Sequence, residues 1–282
     1  MASDPRIAIV HAGPNRPLFG AFPARLSTNL GIPVVASGAG LDLAYVLAWD
    51  LNVPLGCPAF VPIDALATIQ DKRRQARAFA AAGVATPETH LLPDYASVVS
   101  LIAARPERSW LLKWPTACAS IGHQRLTVDF RPTPFWAAPF LVQAFVPQAR
   151  PEVYRLYGVA GELFGWNVRR FPPGTPTSPW VTLARGARYE PLGAPPEAAR
   201  AEAAKALTAT GTIDSFGAVD LLLGADGRWL VLEVNSDGID NFVLRDPALG
   251  DVATAIDDRI QIAMHHIARS PRMPSGRGDF SK

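Results

Sequence analysis

A chain of 282 residues that is 49% hydrophobic and 18% charged has enough apolar mass for two or three subdomain cores, which excludes a disordered polypeptide. A net charge of +2 gives no bulk electrostatic basis for nucleic-acid binding, and no apolar stretch approaches the roughly 18 residues of a membrane span. The start, MASDPRIAIV, lacks the apolar core and cleavage site of a signal peptide, and the two cysteines, Cys57 and Cys118, lack zinc spacing, so a reduced, cytoplasmic setting is expected.

RIAIVHAG reads as a strand ending in a turn, and IPVVAS repeats the pattern after FGAFPARLSTNL. LDLAYVLAWDL has helical spacing and GCPAFV reads as a short buried strand, which together predict a small α/β layer over residues 1–62. It carries no GxGxxG, so no dinucleotide site is expected. From Pro62 on, PIDALATIQDKRRQARAFAAAGVATPETHLL predicts a helix opened near Asp64 and closed by Gly83. SVVSLIAARPERSWLLKWP then gives a helix, a turn and a strand ending on Lys113, whose ammonium must reach solvent or an anion.

TACASIGHQRL is a loop of small residues that lets a backbone approach a ligand. FLVQAFV is a strand, YRLYGVAGELFGWNVRRF is two strands joined at Ala160-Gly161, and FPPGTPTSPW is a surface loop. VTLARGARYE places Arg185 before a glycine, and PPEAARAEAAKALTAT is an amphipathic helix. The adjacent His265 and His266 on a late helix point to different faces and read as structural. The tail, 271–282, is small and polar and is expected to be mobile, and its RGD tripeptide reads as chance.

The most informative stretch is AVDLLLGADGRWLVLEVNSDG. If Asp226-Gly227 closes a two-residue hairpin, counting outward places Asp220 directly opposite Glu233. Like charges across a ladder repel unless a cation lies between them. Asn235, two residues on, shares the face of Glu233, so three hard oxygen donors form one patch suited to Mg²⁺ or Mn²⁺. The competing reading is an ordinary hairpin whose acids reach solvent.

Residues 60 to 245 resemble the ATP-grasp superfamily and, within it, the RimK-like and lysine-biosynthesis-type carboxylate-amine ligases. The resemblance rests on DKRRQARAFAAAGVATPET, WLLKWP, FLVQAFV, EVYRLYGVAGELFGWNVRR, TLARGA, AVDLLL and LVLEVN, in the family's order. It implies an α/β (α+β) ATP-grasp fold, with ATP held between two antiparallel β layers behind a short N-terminal domain. The expected divisions are 1–62, a linker helix and central subdomain over 63–146, a C-terminal subdomain with the metal site over 147–270, and the tail. It further implies that Lys72 and Lys113 hold phosphate oxygens, that Gln143, Ala144, Phe145 and Val146 face the adenine, and that Glu152, one position from the family acid, accepts from ribose. Arg185 would sit near the γ-phosphate, with Lys113 as its catalytic companion, and Asp220, Glu233 and Asn235 would carry magnesium or manganese, as two ions in the family manner of bridging β- and γ-phosphates. Arg155, Arg170 and Asn241, with Asp240, are the candidates for substrate contact.

The implied reaction is amide or peptide bond formation through an acyl phosphate, with release of ADP and phosphate, on a small-molecule carboxylate and amine. No nucleophile is needed, so Cys118 and His123 read as loop residues. A peptide or protein substrate, including macrocycle formation, is the alternative within the class, and a non-catalytic nucleotide-binding protein is the alternative outside it. The latter is favoured by a phosphate loop with a single glycine, Gly122. A homodimer or higher homo-oligomer is compatible with all three, and neither nucleic acid nor membrane is expected as a partner.

Overall fold

The computed structural model describes residues 4–13, 19–117, 122–127, 129–133, 135–236 and 247–270. The expectations for Cys118, Asp240, Asn241 and the tail fall outside these residues. The chain forms two compact units, one of residues up to Phe60 together with those from Asp258, the other Val61–Asp257.

In the first unit, β1 (Ile7–His11), β2 (Val34–Val35) and β3 (Leu43–Ala48) make a parallel sheet in the order β2-β1-β3, with α1 (Phe22–Leu30) between β1 and β2. Pro in the first turn of α1 and Gly31 at φ 65 after its end mark its limits. The helix expected in LDLAYVLAWDL is instead β3. β3 lies at the edge of its sheet yet is largely buried, with consecutive buried residues Leu43, Ala44 and Tyr45, so its sequence loses the alternation that would separate it from a buried helix. GCPAFV contributes only an isolated bridge, Ala59 to Ala44.

The second unit opens with α2 (Ile63–Ile69) and α3 (Lys72–Ala82), where one helix was expected. The break has a local cause: Asp71 is extended (φ −124, ψ 108) and its side chain accepts from the Arg73 N–H, capping a new helix whose first residue is Lys72. There follow β4 (Thr89–Leu92), α4 (Tyr95–Ala104), β5 (Trp110–Lys113), β6 (Gln124–Leu126) and β7 (Phe140–Ala144). The strands form an antiparallel sheet in the order β4-β7-β5-β6. Trp110, Leu112, Val142 and Ala144 pack with Val98 of α4 into a core. Alternation turns Leu111, Lys113 and Gln143 to the opposite face.

A second antiparallel sheet has the order β10-β9-β8-β11-β12, from β8 (Glu152–Val159), β9 (Glu162–Arg170), β10 (Arg188–Pro191), β11 (Phe216–Leu223) and β12 (Trp229–Asn235). α5 (Glu197–Thr210) packs on β11 and β12, and α6 (Gly250–Arg269) follows. Two hairpin turns contrast. At Ala160 (φ 48) and Gly161 (φ 84) both central residues are left-handed, which closes β8 and β9 in two residues. At the tip of β11 and β12 only Gly227 is left-handed (φ 77). Gly227 N donates to Gly224 O and Gly224 N to Arg228 O, so the loop has three residues rather than the two expected at Asp226-Gly227.

Gly158 and Gly217 pair across β8 and β11 and form the slot that receives Leu207 of α5. A Cβ at Gly217 would lie 2.4 Å from Leu207 Cδ2, and Leu207 is fully buried. Gly217→Ala is expected to cost about 1–3 kcal/mol in urea unfolding, and Leu207→Ala about 2–5 kcal/mol. The double variant should cost less than the sum, because the shortened side chain vacates the space the new methyl needs.

Candidate active site

A cleft of about 450 Å³ is lined by both antiparallel sheets and the segments joining them. Its floor is the inner face of the second sheet, where register sets one transverse row: Glu233, Asp220, Arg155, Asn167. Asp220 does oppose Glu233, as counting from the turn predicts, but by a different route. The three-residue tip shifts pairing by one, giving Leu223↔Trp229 and Leu222↔Leu230, and a bulge between Asp220 and Leu221 shifts it back. Leu232 is the extra residue, and both it and Glu233 line the cleft.

The opposed acids are neutralised by separate cations of the protein. Arg155 grips Asp220 bidentately through one edge of its guanidinium, Nε donating to Oδ1 at 2.6 Å and Nη2 to Oδ2 at 2.9 Å, and Arg169 Nη2 reaches Oδ2 at 3.4 Å. Burial opposes the charge on Arg155, yet Asp220 raises its pKa above the usual arginine value. Glu233 lies 3.2 Å from Lys72 Nζ, which also donates to the Ala117 carbonyl at 2.6 Å. Burial pushes the Glu233 carboxyl up, but Lys72 and then Lys113 outweigh it and hold the group well below the usual carboxylate range. Asn235 Nδ2 stands 3.4 Å from Glu233 Oε1.

On the facing sheet, Lys113 is buried and donates to Gln143 Oε1 at 2.9 Å, while Gln143 Nε2 donates to Thr89 Oγ1. Burial is the main reason the Lys113 ammonium titrates at about 8, with Glu233 opposing and Lys72 reinforcing that shift. His123, pushed down to about 3 by burial and then by Lys113, is neutral in the working range and stands edge-on to Trp180 with ring centroids 5.6 Å apart. Phe145, Val146, Pro147 and Gln148 line the connection between the sheets. The Arg125 guanidinium lies 4.4 Å from the Phe145 ring centroid, and Trp180 meets Phe145 at 6.4 Å. The N–H groups of Ala144 and Phe145 are already donated to Glu88 O and Ser109 O, so an adenine edge must be met by other groups of the stretch expected to face it.

Thus Lys72, Lys113, Gln143, Ala144, Phe145, Val146, Asp220, Glu233, Asn235 and Arg155 converge on one cleft. Three expected residues do not join them. Glu152 and Arg170 occupy paired positions one residue out of phase with Val153 and Arg169, so strand alternation carries them to the other face. There Arg170 Nη1 donates to Glu152 Oε1 at 3.1 Å and its guanidinium also pairs with Glu190, while Tyr154 Oη donates to Glu152. Arg185 ends a 3-10 turn, Leu183–Arg185, closed at Gly186 (φ 93), and is exposed outside the lining. Arg155, expected at a substrate, is engaged by Asp220. Residues that sequence reasoning missed are Arg169, Tyr189, Trp180 and Gln75. The buried Gln75 side chain accepts from Val234 N and donates to Val234 O, fixing β12 to α3 beside Glu233.

Among the described residues no group of three or more His, Cys, Asp or Glu side chains is placed to hold a metal ion. Asp220, Glu233 and Asn235 are two carboxylates and an amide on one face, a hard-oxygen set that could hold a divalent ion whose remaining ligands were phosphate oxygens and water. Replacing Asp220 by Ala should cost about 3–5 kcal/mol in thermal or urea unfolding, because it strands the buried Arg155 guanidinium.

The sequence matches no family model and no curated protein. Solved structures match in fold. The D-cycloserine synthetase DcsG is 22% identical, covering 93% of this chain and 99% of that one with a TM-score of 0.64. The ATP-grasp ligase PsnB, solved with a minimal precursor, Mg and ADP, is 16% identical over 94% and 99% with a TM-score of 0.65. The D-alanine–D-alanine ligase of Bacillus anthracis, solved with ATP, is 13% identical over 95% and 97% with a TM-score of 0.66. Matches that span nearly the whole of each chain, taken with two antiparallel layers enclosing a cleft, show that this chain has the ATP-grasp fold.

Proposed function

We propose that the chain is an ATP-dependent carboxylate–amine ligase acting on amino-acid-like small molecules and releasing ADP and phosphate. The observation that carries this reading is the convergence of Lys72 and Lys113 with Asp220, Glu233 and Asn235 in one cleft of the ATP-grasp fold. No helix among the described residues is long and apolar enough to cross a membrane.

In this reading the apolar end, Phe145 with Leu232, takes the base, and the two lysines take phosphate oxygens as compact positive charges. A divalent ion held by Asp220, Glu233 and Asn235 would neutralise charge on the transferring phosphoryl group. A substrate carboxylate oxygen attacks the γ-phosphorus and the bond to ADP breaks. An amine then attacks the acyl phosphate carbon, the carbon–oxygen bond to phosphate breaks, and the amine's proton passes to the departing phosphate. His123, held near 3, is too weak a base to take that proton. The chain's contribution is therefore positioning and electrostatics. In this reading Lys72 and Lys113 stabilise the charge that develops on the phosphoryl group, and Gln143, which accepts from Lys113 Nζ, orients it.

A peptide acceptor is the second reading, favoured by the resemblance to PsnB, which was solved with a precursor peptide. Pairwise incubation of amino acids with ATP and magnesium, followed by mass detection of condensed product and ADP, tests the first reading. Glu233→Gln should lower turnover on the order of 10²-fold. ADP formation independent of any carboxylate and amine pair would refute the ligase assignment.

The Lys113 ammonium is charged below about 8 and neutral above it. A bound phosphate favours the charged form, so affinity for magnesium AMPPNP should fall as pH rises through about 8, by up to about tenfold per pH unit. Lys113→Met should bind more weakly and lose that pH dependence, as read by calorimetry.

A further inference from the structure

One cation of the cleft belongs to neither carboxylate. Register carries Arg125 there: it pairs across β6 and β5 with Leu111, which pairs with Gln143 of β7, so the three share the cleft face of their sheet. Among the described residues no carboxylate pairs with Arg125, and its guanidinium instead lies 4.4 Å from the ring centroid of Phe145. Trp180 crosses Phe145 at 76° with centroids 6.4 Å apart and braces that ring. A guanidinium is flat and spreads its charge over the plane, so it stacks with an aromatic ring on either side. Phe145 takes one side of Arg125, and because Arg125 is exposed and lines the cleft, the other side is left to a ligand.

The edge of a base finds fewer partners. Between Ala144 and Pro147, the N–H groups of Ala144 and Phe145 are donated to Glu88 O and Ser109 O, and proline has none, which leaves that of Val146. The Gln143 amide is committed at both ends, to Lys113 Nζ and Thr89 Oγ1, and Gln148 Oε1 accepts from Glu152 N. The hydroxyls of Thr177 and Ser178, which also line the cleft, donate and accept alike. One N–H beside backbone carbonyls does not separate the purines. Adenine meets it with N1 as acceptor and its amino group as donor, and guanine, shifted slightly, with O6 as acceptor and N1–H as donor. Stacking is blind to that difference, because every base has a π face.

We propose that Arg125, seated on Phe145, is the stacking platform for the nucleobase and sets specificity by face rather than edge, so that the cleft takes purine nucleoside triphosphates as a class. This platform rests on the ligase reading for the presence of a nucleotide, and adds to it which residue holds the base and how little it selects. A cation at this place could instead serve the phosphates, and the test separates the two roles.

The full-length chain is titrated by calorimetry with magnesium AMPPNP, magnesium GMPPNP and magnesium tripolyphosphate. Wild type should bind the two nucleotides with affinities within about tenfold of each other, and Arg125→Ala should weaken both by about tenfold while leaving tripolyphosphate unchanged. Arg125→Lys, which keeps the charge without the plane, should also weaken both nucleotides, and it serves if the alanine variant does not fold. Nucleotide affinities that differ by more than about tenfold in wild type overturn the platform, since that margin requires readout of the edge. So does full nucleotide affinity in either variant, or a loss shared by tripolyphosphate, which would assign Arg125 to the phosphates. Binding of tripolyphosphate but of neither nucleotide sinks the platform and keeps the phosphate site, whereas a chain that binds none of the three sinks the nucleotide reading as well.

Discussion

Two carboxylates face each other across the interior of a sheet, and each is matched by a cation from a different direction. Arg155 comes from the neighbouring strand β8 and takes Asp220, and Lys72 comes from the start of α3 and takes Glu233. The arrangement answers the electrostatic problem that the sequence poses, since opposed acids in a greasy hairpin are tolerable once each has its own counterion. It also ties three elements together. Register places Asp220 beside Arg155, the Asp71 cap begins a helix at Lys72, and Gln75 in that helix holds the strand that carries Glu233.

From that pairing the rest of the cleft follows by alternation. On the facing sheet, every second residue of β5 and β7 enters the core under α4, which turns Lys113 and Gln143 to the cleft as a matter of parity. On the floor, the same parity admits Val153, Arg155 and Arg169 and expels Glu152 and Arg170 to form their own ion pair outside. The cleft thus gathers Lys72 and Lys113 about Glu233 and Arg155 and Arg169 about Asp220, with Arg125 apart from both, over Phe145. Compact ammonium charges and planar guanidinium forks suit different anions, and their separation gives the cleft a direction.

Much of this was legible in the sequence. The antiparallel layers, the hairpin of β8 and β9, the strand ending on Lys113 and the opposition of Asp220 to Glu233 follow from period, turn residues and spacing. What failed did so for identifiable reasons. β3 reads as a helix because consecutive buried residues give it no period of two. α2 and α3 read as one helix because a capping Asp71 inside an Ala- and Arg-rich run is a one-residue signal. The choice of Arg170 over Arg169, and of Glu152, needed the inward face of β8 and β9 to be known, and that face is fixed by pairing with β11 rather than by anything local. Arg185 sits beside a glycine whose left-handed turn faces it outward, a geometry that spacing does not carry. Counting from a two-residue turn pairs the acids correctly although the turn has three residues, because the bulge beside Asp220 cancels the shift.

That bulge has a consequence for whatever the cleft accommodates. In a regular strand cleft-facing residues alternate with outward-facing ones, so neighbouring cleft side chains stand about 7 Å apart and Leu232 and Glu233 would lie on opposite faces. Here consecutive residues of β12 both border the cavity, so the dielectric changes abruptly across one peptide unit. A molecule lying along β12 passes from the hydrocarbon of Leu232 to the carboxylate of Glu233 within the width of one residue.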